Sequence, residues 1–141
     1  MLTILLVDDN VHLQIAFKKI LTSSGYQVEL ASDGEEGLRL AHSARPDVIL
    51  LDMLLPKLGG VEVLRALKAD RATKTIPVIA LSGLPMSNEA RLRKDGAISY
   101  LQKSNLDNLD LLLQAIDYAL LLPRSDEFSE VGFLPNTPGQ S

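Results

Sequence analysis

Cysteine is absent from the 141 residues, which excludes a disulfide framework and any thiolate metal site. No uninterrupted apolar run approaches the roughly 20 residues needed to span a bilayer, so no membrane segment is expected. Basic residues are in deficit: the formal net charge is −4 and the pI is near 5.1. That balance argues against direct nucleic-acid binding, which works largely by neutralising phosphates. The opening MLTILLV carries no basic residue and its apolar stretch stops at two acids, so a secretory leader is not expected. No period of solenoid length recurs. Together these absences suit a cytoplasmic protein whose partners are metal ions or other proteins.

What is present is organised around Val48–Pro56, VILLDMLLP. Four consecutive apolar residues precede Asp52, the pattern of a strand covered on both faces. Such a strand delivers Asp52 to the carboxyl edge of a parallel sheet, where open α/β folds bind ligands. Pro56 and then Gly59-Gly60 close the following loop and start the next helix.

The rest of the chain repeats this strand-then-helix rhythm. Thr3–Val7 reads as a first buried strand, with Asn10 as cap for a helix over Val11–Ser23. Leu13, Ala16, Phe17 and Ile20 fall on its inward face; Val11 and Ile15 fall opposite, as scattered surface residues or a partner surface. Tyr26–Ala31 alternates like an edge strand, and Ser32 with Glu35 forms a capping box for a short helix to about Ala44, with Leu38 and Ala41 inward. After Gly60 a helix carries Val63, Leu64 and Leu67 to about Asp70. Ile76–Leu81 is a fourth strand, Asn88–Lys94 a short polar helix, and Ala97–Gln102 the last strand. A Leu-rich helix from about Leu106 to Leu122 has an inward stripe of Leu109, Leu112, Leu113, Ile116 and Leu120. Its second stripe, Leu111, Ala115, Tyr118 and Leu122, suits self-association, effector docking, or cover by Phe128 and Phe133 of the tail. Residues 1–123 thus form one α/β domain with a parallel sheet and helices on both faces; 124–141 reads as a flexible tail or a truncated linker. A domain of this length can bury roughly 70% of its unfolded surface without staples.

Asp8, Asp9, Asp52, Ser82 and Lys103 each fall at or just after a predicted strand end, and in a parallel sheet those ends share one edge. Two carboxylates ~4 Å apart repel by about 4 kcal/mol at an effective dielectric near 20. A divalent cation offsets that repulsion, and Mg²⁺ favours a few carboxylates with waters and a phosphoryl group. Lys103 adds a compact positive charge and Ser82 a hydroxyl. An acid, a divalent ion, an ammonium and a hydroxyl suit phosphoryl transfer to a carboxylate, giving an acyl phosphate. Singly, each residue has a plainer reading. An acid after a strand is commonly a cap or turn residue, a lone lysine there is usually solvated, and Tyr100 alone reads as a packed strand aromatic. Joint placement at four strand ends carries the functional reading. His12 and His42 share no ligand spacing and read as helix-surface residues.

The combination resembles the receiver domain of two-component response regulators, from Leu2 to about Leu122. The matching residues are Asp8-Asp9, Asp52 with Pro56 and Gly60 four and eight residues later, Ser82, Tyr100 and Lys103. The resemblance implies a flavodoxin-like, doubly wound, five-stranded parallel sheet of order 2-1-3-4-5 with helices on both faces; that order is the family's own. It implies Asp52 as phosphoacceptor from a histidine kinase or phosphotransfer protein. It also implies Mg²⁺ held by Asp9 directly, by Asp8 partly through water, by Asp52, and by the backbone carbonyl of Leu54. Ser82 and Tyr100 would form the switch, the hydroxyl moving to the phosphoryl group and the ring turning inward. Such a module is regulatory rather than an enzyme, taking part only in its own phosphotransfer and dephosphorylation. Its partners are the phosphodonor and, through the last helix, an effector or a second copy.

Leu54 and Leu84 occupy positions that border the attacking water in this family, so slow dephosphorylation is expected. The sequence departs from the family where proline usually follows the lysine through a cis bond. Ser104 stands there, and a trans peptide is expected. Two rival readings are a pseudo-receiver scaffold that binds a partner without phosphoryl transfer, and a flavin-binding electron carrier. The intact acid set, Ser82 and Lys103 speak against the first; the lack of a Gly/Thr-rich loop after the first strand speaks against the second.

Overall fold

Strands apolar on both faces require cover on both faces, and helices with one apolar stripe can supply it. The computed structural model describes residues 1–55, 57–83, 89–103 and 109–122. Pro56, Leu84, Asn88, Ser104 with its peptide bond, Leu106, and the tail with Phe128 and Phe133 lie outside the described residues. The elements run β1 (Thr3–Val7), α1 (Val11–Ser23), β2 (Gln27–Ala31), α2 (Gly34–Ala44), β3 (Val48–Asp52), α3 (Gly60–Ala69), β4 (Val78–Ser82), α4 (Glu89–Lys94), β5 (Ser99–Gln102) and α5 (Leu109–Leu121). The strands make one parallel sheet of order β2-β1-β3-β4-β5, as expected. Among the described residues no helix is long and apolar enough to cross a membrane.

Side chains alternate across a strand, and here the alternation builds two apolar layers. Leu5, Val7, Ile49, Leu51, Val78 and Ala80 point to one side, where Ala41 of α2, Val63, Leu64 and Leu67 of α3, and Leu92 of α4 meet them. Ile4, Leu6, Val48, Leu50, Ile79 and Leu81 point to the other, against Phe17 and Leu21 of α1 and Leu112, Ile116 and Ala119 of α5. Every residue of β3 and β4 is buried. Each Leu or Ile so buried contributes about 1.5–3 kcal/mol relative to exposure.

Three details differ from the sequence reading. The buried positions of α1 are Gln14, Phe17 and Leu21, whereas Ala16 is exposed; Gln14 is accommodated there by the polar partners described below. On α2 the cap is Asp33, whose Oδ1 accepts the Glu36 N–H at 2.8 Å, while Glu36 reaches back to the Ser32 N–H at 2.8 Å. The box therefore sits one residue later than Ser32 and Glu35 imply. On α5 the buried positions are Leu112, Ala115, Ile116 and Ala119, and Leu109 is exposed. Small Ala115 and Ala119 join Leu112 and Ile116 in the core layer on this side of the sheet.

One polar staple joins α2 to the end of α3. His42 Nδ1 lies 2.9 Å from the Leu38 carbonyl and Nε2 2.7 Å from Asp70 Oδ2. Both partners only accept, so the ring serves both when it is the imidazolium. Its pKa is raised, first by the Leu38 carbonyl and then by Asp70. Asp70 is lowered, first by the Ala72 N–H and then by His42. The His42 contribution is complete below its unfolded value near 6.5 and fades as pH rises through the folded one. The Asp70 contribution is complete above 3.8 and fades as pH falls through its depressed value. The staple is therefore strongest between those limits. His42→Gln should flatten the decline of melting temperature between about pH 6 and 8; an unchanged slope would discount the staple.

Candidate functional site

The parallel register sets the spacing of the site. Val7 pairs with Leu51, so the next residues, Asp8 and Asp52, stand side by side at the carboxyl edge. Asp52 pairs with Leu81, placing Ser82 beside it, and Ser82 pairs with Gln102, the residue before Lys103. Asp8, Asp52 and Ser82 are buried, while Asp9 is exposed.

Asp8 is held on three sides. Its N–H donates to the Ala31 carbonyl at 3.0 Å, its Oδ1 accepts the Asn10 N–H at 2.8 Å, and its carbonyl accepts Gln14 Nε2 at 2.6 Å. Gln14 Nε2 also reaches Ser32 Oγ at 3.1 Å, tying the acid turn to the end of β2. Sequence reasoning missed Gln14. The available signal was its spacing of three and seven from Phe17 and Leu21, which puts an amide on a buried face and asks what it bonds.

Asp52 Oδ1 accepts the Leu54 N–H at 3.0 Å, and Oδ2 accepts from Lys103 Nζ at 3.1 Å. The same ammonium lies 2.7 Å from Asp8 Oδ2. Among the described residues no donor is aligned with that oxygen for a hydrogen bond. The 2.7 Å contact is therefore an ion pair of poor direction, and Asp8 Oδ2 keeps lone-pair capacity facing the cluster. Burial works against the Lys103 charge, but its two carboxylate partners prevail and hold its pKa up. Burial also raises the pKa of Asp52; the Leu54 N–H and Lys103 oppose this, and Asp8 adds to it.

Asp8, Asp9 and Asp52 each offer an oxygen, and these oxygens lie within 4.8 Å of one another. Among the described residues, three carboxylates face one ammonium, and a buried Asp8 oxygen has no aligned hydrogen-bond donor. That donor set fits a hard divalent cation such as Mg²⁺. The sequence-predicted Asp8, Asp9, Asp52, Ser82 and Lys103 thus come to one edge. Leu54 joins them through its backbone, while its side chain is 60% exposed. Tyr100 stands apart: it is buried opposite Ala80, two residues before Ser82 along β4, in the layer containing Leu92.

Comparison with known proteins agrees with this geometry. The profile of the response regulator receiver domain matches residues 4–117. The polar-differentiation response regulator DivK of Brucella anthropi is 37% identical over 102 residues, 72% of this chain and 83% of DivK. Chemotaxis protein CheY4 of Vibrio cholerae superposes with a TM-score of 0.73 at 32% identity, covering 82% of this chain and 98% of CheY4. The receiver domain of sensor histidine kinase PA1611 from Pseudomonas aeruginosa, solved with a magnesium ion coordinated in its active-site cleft, gives 0.65 at 33% identity, covering 77% and 93%. With the receiver-domain profile matching residues 4–117 and a relative 37% identical over 72% of the chain, this chain belongs to the response regulator receiver domain family.

Proposed function

We propose that residues 1–123 act as a phosphorylation-switched receiver and that 124–141 form its tail or linker. The observation that carries this is Asp52 itself, buried at the sheet edge between Lys103 and the other two carboxylates. An Asp52 carboxylate oxygen attacks the phosphorus of a phosphohistidine on a histidine kinase or phosphotransfer protein. The P–O bond forms as the P–N bond breaks, and the leaving imidazole takes up a proton. Lys103 Nζ neutralises phosphoryl oxygens, and Ser82 Oγ donates to one of them. Asp8, Asp9, Asp52 and the Leu54 carbonyl would hold Mg²⁺, which when bound shields the approach of two negative groups. The product carries about −1.5 to −2 of added charge. Ser82 and Tyr100 then favour the arrangement in which hydroxyl and ring are drawn toward the phosphoryl group.

The test is direct. With Mg²⁺ and acetyl phosphate, the protein should gain one phosphoryl mass on Asp52, and Asp52→Asn should gain none. Equal modification of Asp52→Asn would remove the assignment. Equal Mg²⁺ binding by the wild type and Asp9→Ala, with no phosphorylation, would favour a pseudo-receiver scaffold.

The α5 surface is the proposed output face. Leu111, Tyr118 and Leu121 are exposed there, the last at 83%. A receiver helix that exposes such a stripe suits an effector or a second copy. Leu111→Glu with Tyr118→Glu should abolish association measured by sedimentation while leaving Asp52 phosphorylation intact. Association that survives both charges would move the output elsewhere.

A further inference from the structure

Asp9 is the exposed member of the acid cluster, so its carboxylate is aimed by the backbone that carries it and not by packing. That backbone is clasped from both ends. On one side the Asp8 N–H is anchored on β2, donating to the Ala31 carbonyl at 3.0 Å. Beyond this bond the two chains separate, one into α1 and the other into α2. Across the divergence sits Gln14, near the start of α1 and only 9% exposed.

The amide nitrogen of Gln14 donates to the Asp8 carbonyl at 2.6 Å and to Ser32 Oγ at 3.1 Å, with the Ala31 carbonyl at 3.5 Å. Two of these three are carbonyl oxygens, which only accept, so the NH₂ and not the amide oxygen has to face them. The Gln14 N–H returns to the Asn10 carbonyl at 3.0 Å, and the Asn10 N–H returns to Asp8 Oδ1 at 2.8 Å. Asp8, Asn10 and Gln14 thereby close a ring of hydrogen bonds around Asp9. Two of those bonds have main-chain donors that any residue but proline supplies. The bond to the Asp8 carbonyl needs a side-chain donor, and position 14 supplies it. Without it the turn gains freedom that a bound ion must remove, and ordering one residue's backbone costs about tenfold in affinity.

We propose that Gln14 is a positioning residue for the divalent cation: it holds the Asp8–Asn10 turn so that the Asp9 carboxylate faces Asp8 and Asp52 before the ion arrives. The inference rests on the reading of this cluster as a Mg²⁺ site, and it assigns part of that site's affinity to a side chain outside the acid cluster.

Gln14→Met keeps the volume and removes the donor. Titrated with Mg²⁺ and followed by the Asp9 and Leu54 amide NMR shifts, it should bind about tenfold more weakly than the wild type. Phosphorylation by acetyl phosphate should need correspondingly more Mg²⁺, while its rate at saturating Mg²⁺ stays within about twofold of the wild type. Without metal, the Asn10 amide should exchange its hydrogen faster in the variant. Gln14→Ala, which removes the amide without a bulky replacement, should show the same split. Thr73→Val is the control. It deletes another buried hydrogen bond, from Thr73 Oγ1 to the Leu67 carbonyl at 2.8 Å, just past the end of α3. It should lower the unfolding midpoint yet bind Mg²⁺ as the wild type does. Equal weakening by Thr73→Val would reduce Gln14 to a residue that stabilises the fold, and would overturn the proposal. Wild-type affinity in Gln14→Met would overturn it with the Mg²⁺ reading intact. Absence of any Mg²⁺-induced shift in the wild type would instead remove that reading, and the inference with it.

Discussion

Gly60→Ala is expected to destabilise the protein by about 3 kcal/mol, at the upper end of overpacking costs, and to slow phosphorylation of Asp52 alongside. Gly60 is the first residue of α3, and it packs against the backbone that leaves β3. A Cβ built there would lie 2.5 Å from the Asp52 carbonyl oxygen and 2.9 Å from the Met53 carbonyl carbon. Neither atom can rotate away, because both belong to the main chain. Met53 is also pinned, since its N–H donates to the Leu81 carbonyl at 2.9 Å. The added methyl must push α3 off the sheet or push the end of β3 out of register with β4. Gly59→Ala is the control. Among the described residues, a Cβ at Gly59 meets only Glu62 Oε1, at 2.9 Å, the far end of a side chain that can swing aside. Chemical denaturation should show a midpoint shift for Gly60→Ala several times that for Gly59→Ala. Equal shifts would mean that helix propensity, not the close approach, decides the cost.

Lys103→Met should lower stability by about 2 kcal/mol without divalent ions, and Mg²⁺ should recover most of the loss. Breaking a buried ion pair typically costs 3–5 kcal/mol, and Lys103 retains 27% exposure, which screens part of that cost. The two carboxylates it leaves behind, Asp8 and Asp52, are buried and adjacent. A ligand present at 100 times its dissociation constant stabilises by about 2.7 kcal/mol, enough to offset the missing ammonium. Two cations sharing one cluster compete, so removing one should strengthen the other. The melting temperature of Lys103→Met should therefore rise more with Mg²⁺ than that of the wild type. A smaller rise would mean that Lys103 cooperates with the metal instead of opposing it.

Much of this molecule could be read before folding. β1, α1 and β3 begin and end where their apolar runs and caps imply. The edge residues Asp8, Asp9, Asp52, Ser82 and Lys103 were legible because strand ends in a parallel sheet share one side. What escaped the sequence was long-range. Gln14 escaped notice because its partners, the Asp8 carbonyl and Ser32, come from a turn and from the end of a different strand. His42 showed no ligand spacing, and its partner Asp70 is 28 residues away. The cap of α2 is Asp33, which accepts the Glu36 N–H and also meets Lys57 at 3.2 Å, a contact no local pattern encodes. The two stripes of α5 were resolved only by the sheet, which selected the side bearing Ala115 and Ala119 for close packing.

The sheet order has a consequence for how the site comes apart. Asp8 and Asp52 hang from β1 and β3, each flanked on both sides, whereas Lys103 follows β5, four residues long and paired on one side only. Opening of a protein proceeds in steps, and short peripheral elements detach at lower free energy than central ones. Amide hydrogen exchange in β5 should accordingly run ahead of that in β1 and β3. Each such excursion withdraws the ammonium while the carboxylates stay seated, so the cluster alternates between a compensated and an acid-rich state without global unfolding.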